Sequence, residues 1–154
     1  MLHGNGTYAL VLHLESEHTL AVGKLAIVSF PPGYYLYVGS ALGGLFHRVK
    51  RHVNGGNKLH WHIDYLRQVA DVVEVWYLVS DERLECKWFR AARNMEAARV
   101  LVNGFGASDC GCESHLVYFA AAPSFEEFER RLSDEGLSLQ RIVGESELLS
   151  LVSV

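Results

Sequence analysis

Residues 6–14 (GTYALVLHL) alternate so that Tyr8, Leu10, Leu12 and Leu14 share one face, the period of a half-buried strand. A second β-type run spans residues 24–30 and is closed by Pro31, Pro32 and Gly33, a turn signal. A third covers residues 34–40, and the short spacings between the three predict an antiparallel meander. The period then changes. Leu42, Leu45, Phe46, Val49 and Val53 recur at helical spacing and predict a helix over 42–53. At about 100° per residue, Arg48 and His52 fall on one flank of that stripe and Arg51 turns to solvent. A glycine-rich turn over 54–58 leads to a short helix over 60–70. A strand over 72–79 has so few polar positions that it reads as central in its sheet. The longest predicted helix covers 82–102, with Leu84, Trp88, Ala91, Met95, Ala98 and Val102 on one stripe and Glu85 on its flank. A further strand is expected over 115–120. Ser124 and Glu127 have the spacing of a capping box opening a helix to about 132. The chain thus divides into one domain over 1–133 and a C-terminal extension over 134–154 with no clear period.

At 154 residues the chain is long enough to bury a sizeable core. No apolar run approaches the roughly 18 residues of a membrane span, and the first residues lack the pattern of a signal peptide. Three cysteines, two of them one residue apart, do not resemble a disulfide framework. A reduced, cytoplasmic protein is the expectation. The formal net charge of −4 argues against a general nucleic-acid binder, which needs positive charge to displace phosphate counterions. The charge is uneven, however. Residues 43–67 carry two lysines, three arginines and four histidines against Asp64 alone, whereas residues 124–148 carry seven acids against three arginines. A basic face can grip phosphates on a protein that is acidic overall.

Gly6-Thr7-Tyr8 and Tyr37-Val38-Gly39 resemble the two name-giving tripeptides of the GIY-YIG nuclease family. Leu45-Phe46-His47-Arg48-Val49 resembles the helix that follows them there, with an arginine after a leucine and two variable residues, and His52 matches a frequent histidine. Glu85 matches the glutamate that opens a later helix. Within that family the chain resembles the short prokaryotic Uri-type endonucleases, formerly a domain of unknown function, which share the stretches seen here as HWHIDYL (60–66), Glu85-Cys86 and GFGASDCGCESHL (104–116). The resemblance covers roughly residues 4–120. It implies an α+β, sandwich-like fold, a small mostly antiparallel sheet flanked by helices. The 28 residues between Tyr8 and Tyr37 imply an inserted strand pair. The resemblance further implies a metal-dependent endonuclease acting on DNA, with Tyr8, Tyr37, Arg48 and Glu85 catalytic and Glu85 holding one Mg²⁺ or Mn²⁺. An asparagine expected after the glutamate-bearing helix has two candidates here, Asn94 and Asn103.

Phosphodiester hydrolysis needs an activated water, stabilised phosphoryl charge and help for the leaving oxygen. Arg48 offers a planar, permanently charged donor fork. Tyr8, with Tyr37 beside it, would take a proton from water, and nearby positive charge is needed because an ordinary phenol is a poor base at neutral pH. His47, Lys50, Arg51, His52 and His62 are the candidates for contacts with nucleic acid. Glu82 is the second candidate ligand. Each residue also has a plainer role: the tyrosines as core residues, Arg48 as a helix-surface cation, Glu85 as a favourable charge in a first helical turn. A nucleic-acid-binding module with little catalysis is therefore the alternative function. A third reading rests only on Cys86, Cys110, Cys112 and His115, which have the softness of zinc ligands, although Cys-x-Cys spacing is less specific than Cys-x-x-Cys. His60 and His62, two apart on a helix, would diverge from a single ion. No second DNA-binding domain is legible, so specificity is expected from DNA structure or a protein partner.

Overall fold

The computed structural model describes residues 3–55, 58–107, 110–132 and 139–152. Its centre is β1 (Gly6–Leu14), which pairs antiparallel with β4 (Gly33–Ala41) on one side and β5 (Asp71–Val79) on the other. The edges are β6 (Leu116–Phe119), paired with β4, and β7 (Gln140–Val143), paired with β5. The five-stranded order is β6-β4-β1-β5-β7. A separate hairpin joins β2 (His18–Val22) to β3 (Ala26–Phe30). The predicted α+β class and the inserted strand pair are thus present. The predicted meander is not: β1 pairs directly with β4, and the hairpin leaves the main sheet.

Alternation on β1 divides its side chains between two cores. Tyr8, Leu10, Leu12 and Leu14 pack with Leu45, Val49, Ile63 and Leu66, the buried stripes of α1 (Leu45–Asn54) and α2 (His62–Arg67), and with Val22 and Phe30 of the hairpin. Ala9 and Val11 turn the other way, against Trp88, Phe89 and Ala92 of α3 (Glu85–Arg93) and Phe128 and Leu132 of α4 (Phe125–Leu132). The strand is therefore buried on both faces rather than half-buried. The segment read as an extension adds β7 to the sheet edge and supplies α5 (Glu145–Val152), whose Leu148 enters the first core.

Three helices are shorter than expected, α2 covering only His62–Arg67 of the expected 60–70. Gly44, at φ 123°, breaks the chain before Leu45, so α1 starts three residues late and Leu42 is exposed. It ends at Gly55, where the Arg67 guanidinium donates to the carbonyls of His52 and Val53 and also to that of Ala70. The helix expected over 82–102 is only α3. Ala97 takes a left-handed φ of 64°, and Arg99 then exchanges two backbone hydrogen bonds with Tyr118, flanking β6. Ala98 continues the apolar stripe from a loop, packing on the same core as Trp88 and Met95, whereas Val102 enters the core on the other face of the sheet. At α4 half of the expected capping box is present: the Glu127 N–H donates to Ser124 Oγ, while the Glu127 carboxylate accepts the Glu96 N–H and Arg131 Nε instead.

Candidate functional site

One end of the sheet, where β4 leaves for α1, opens into a cleft of about 410 Å³. Its lining includes Tyr8 and Tyr37 from the strands, Arg48 from α1, Trp61 and His62 at the start of α2, and Glu85 at the start of α3. The four residues expected to be catalytic thus come together from four elements. Tyr8 lies opposite Gly39 in the β1–β4 register, and the Tyr37 ring centre is 6.5 Å from that of Tyr8. The glycine is required by that close approach, because a Cβ there would sit 2.5 Å from the Tyr8 hydroxyl.

Tyr8 is 1% exposed, and its hydroxyl lies 2.9 Å from His52 Nε2. His52 is itself buried, so the expectation that it touches nucleic acid is corrected: it stands behind Tyr8. Burial pushes the His52 imidazole down to about 3, against the pull of Asp64, so the ring is neutral at pH 7. Its Nδ1 has no hydrogen-bond partner. A buried orphan lone pair is cheaper than a buried orphan N–H, so the proton belongs on Nε2, which donates to the phenol oxygen. Burial also pushes the Tyr8 phenol up to about 12, and the nearby Arg48 charge only partly offsets this. Tyr37 is raised well above its ordinary value by burial and by Tyr8. Both phenols therefore hold their protons at neutral pH.

The buried imidazole gives a testable acid sensitivity. Unfolded His52 takes up a proton near pH 6.5, whereas folded His52 resists until about pH 3. Below pH 6.5 the unfolded state binds more protons, so stability falls with pH across that window by up to about 1.4 kcal/mol per unit. Urea unfolding at pH 7.5, 6.0 and 5.0 (roughly spanning the upper part of the window) should show the loss in the wild type and a flatter profile in His52→Gln.

Arg48 lies with its guanidinium carbon 4.4 Å from the centre of the Trp61 ring, and Nη1 donates to the Ser40 carbonyl at 3.4 Å. Arg51 does not face solvent as its helical angle suggested. It packs 4.5 Å from the same indole and forms a bidentate pair with Asp64 at 2.7 and 3.0 Å. Asp64 also accepts the N–H groups of His60 and Trp61. Burial alone would raise the Asp64 carboxyl, but Arg51 and these two N–H donors hold it below the usual carboxylate range. Arg51 thus anchors the loop carrying Trp61. That indole, missed in the sequence, becomes the platform for the site arginine; the HWHIDYL stretch that contains it was the available signal.

His62 accepts the Gly106 N–H on Nδ1 at 2.8 Å, which leaves Nε2 to carry the proton of the neutral ring. His47 is exposed and Lys50 packs along Phe46; neither lines the cleft. His60 does line it. Asn94 and Asn103 are exposed outside the cleft, and Glu82 lies in the exposed turn before α3. Glu85 is largely shielded, with 14% of its side chain exposed; it accepts the Ser40 hydroxyl and lies 3.8 Å from Arg83. Cys86, the next residue, meets Cys110, Cys112 and His115 in a cluster able to hold a metal ion. Cys86 and Cys112 are joined as a disulfide, which corrects the expectation of three reduced cysteines.

Fold and cleft together define an α+β protein, a five-stranded antiparallel sheet with a separate two-stranded hairpin, and a polar site built from two buried phenols, an indole-backed arginine and a carboxylate. The chain belongs to the family described as Domain of unknown function DUF123, whose family model matches residues 7–136. No curated protein and no solved structure matches it. Among the described residues no helix is long and apolar enough to cross a membrane.

Proposed function

We propose that the chain is a metal-dependent endonuclease that hydrolyses DNA phosphodiester bonds in this cleft through a GIY-YIG-type site. The observation that carries the reading is the convergence of Tyr8, Tyr37, Arg48 and Glu85, distant in sequence, on one cavity. Arg48 binds the phosphate: its charge is permanent, and its position is set by Trp61 and the Ser40 carbonyl. Tyr8 keeps its proton in the resting site and orients the attacking water through its hydroxyl, with His52 fixing the ring from behind. His62, neutral and protonated on Nε2, offers a hydrogen bond to a phosphate or leaving oxygen.

Glu85 fits a single Mg²⁺ or Mn²⁺, since such ions take one or two carboxylates and keep several waters, and the cleft leaves room for them. Bound there, the ion would supply Lewis acidity and lower the pKa of water. Tyr8 is held near 12 by burial, which favours the alternative of a binding module with slow or no chemistry. Cleavage of labelled single-stranded, duplex and forked DNA in Mg²⁺, Mn²⁺ and EDTA separates the two. Metal-dependent cutting supports the nuclease, and binding without cutting in any metal supports the module.

A further inference from the structure

We propose that Cys86, Cys110, Cys112 and His115 form a tetrahedral structural zinc site that fastens the start of α3 to the loop entering β6. The four donor atoms all lie within 4.8 Å of one another. Cys110 Sγ is 3.3 Å and Cys86 Sγ 4.0 Å from His115 Nε2. A tetrahedron with Zn–S near 2.3 Å and Zn–N near 2.0 Å has donor-to-donor edges of about 3.5–3.8 Å, so the histidine–sulfur distances bracket the required spacing. Three thiolates and an imidazole are a ligand set that selects zinc over hard cations.

The backbone around the cluster is already held. The His115 N–H donates to the Phe105 carbonyl at 2.8 Å, and its own carbonyl accepts the Val38 N–H at 3.0 Å. The Gly104 N–H donates to Glu113 at 2.7 Å and Cys110 N–H to Ala107 at 3.4 Å. Three ligands thus sit on a loop folded on itself and tied to β4, and the fourth arrives from the first turn of α3. His115 is 6% exposed, and a buried ring aimed at three sulfurs is positioned as a ligand.

A Cys86–Cys112 disulfide and the zinc site are alternative uses of the same two sulfurs. The disulfide explains only two of the four converging side chains; a zinc ion explains all four. From the disulfide form a thiol reductant first cleaves the Cys86–Cys112 bond, giving up two electrons and two protons to form two cysteine thiols and becoming a disulfide itself; one Zn²⁺ then binds three thiols and a neutral imidazole and releases three protons. The Cα atoms of Cys86 and Cys112 are 6.1 Å apart, and side-chain rotation separates the sulfurs. Four protein ligands leave no position for water, so the ion is structural. Its further consequence rests on the nuclease reading: Glu85 precedes Cys86, and Cys110 and His115 line the same cleft, so the zinc fixes the end of α3 that carries the site carboxylate.

The test is metal and thiol analysis of the full chain, purified with a non-chelating phosphine reductant and no chelator. The result expected is one zinc per chain, released in step with modification of the thiols by a mercurial. Replacing it with Co²⁺ should give the strong visible absorption of a tetrahedral thiolate site. Cys110→Ser and His115→Ala should lower zinc retention at least tenfold. Should a variant fail to fold, Co²⁺ titration of the metal-stripped wild type still decides. Three freely reactive thiols without zinc, a Cys86–Cys112 disulfide that persists in the reductant, or full zinc retention in both variants would overturn the proposal. None of these readouts uses DNA, so a failed cleavage assay leaves them intact.

Discussion

Glu85→Gln should slow metal-dependent cutting by roughly 10²–10³-fold while leaving the fold in place. Glutamine keeps the length of the side chain and a carbonyl oxygen for the Ser40 hydroxyl. It removes the negative charge that would hold the cation, and it ends the exposed Arg83 contact, which is worth under about 1 kcal/mol. The loss should therefore appear in kcat and in the metal concentration for half-maximal rate, with little change in the urea midpoint. Glu82→Gln, in an exposed turn outside the cleft, should cut like the wild type. Equal losses in both variants would show that general negative charge near α3, rather than a ligand at residue 85, supports the reaction.

The largest effect on stability should come from Asp64→Ala. With 4% of its side chain exposed, Asp64 accepts both terminal nitrogens of Arg51 and two backbone N–H groups. Its removal strands a guanidinium that is one-quarter exposed and frees the Trp61 turn. Breaking a buried pair from one side costs about 3–5 kcal/mol, and partial solvation of Arg51 sets the expectation at the lower end, about 3 kcal/mol by urea unfolding. Because the folded carboxyl lies below its unfolded value of 3.8, its stabilisation is present above that pH and is lost as pH falls through the folded value. Asp64→Ala should therefore erase part of the acid sensitivity at low pH. Surviving protein should also bind DNA more weakly, since Arg48 loses the indole it rests on.

The strands that carry the site were legible because their pattern is local. Tyr8 and Tyr37 alternate with apolar neighbours, and the buried flank of α1 placed Arg48 correctly. The misreadings arose where a distant segment decides. Arg51 looked solvent-facing from its helical angle, but Asp64 on α2 claims it. His52 looked available, but Tyr8 and the Trp61 turn cover it. The stripe over 82–102 passed for one helix because apolar residues keep falling at helical spacing after the chain turns at Ala97 to flank β6, although Ala98 packs on the core of α3 and Val102 on the opposite one. β2 escaped notice because its outward positions, Thr19 and Ala21, are exposed, and only the short inward face of Leu20 and Val22 reaches the first core. Trp61 gave no periodic signal at all; a single aromatic beside two arginines acquires meaning only when α1 and α2 are packed together.

The most direct measurement is the single-turnover rate on one cleavable labelled DNA at saturating protein in Mn²⁺, comparing wild type with Arg48→Ala. The account predicts cutting by the wild type that EDTA abolishes and that Arg48→Ala slows by at least about 100-fold with Tm preserved. Cutting undiminished in Arg48→Ala, or no cutting by the wild type with any metal or DNA form, would contradict it.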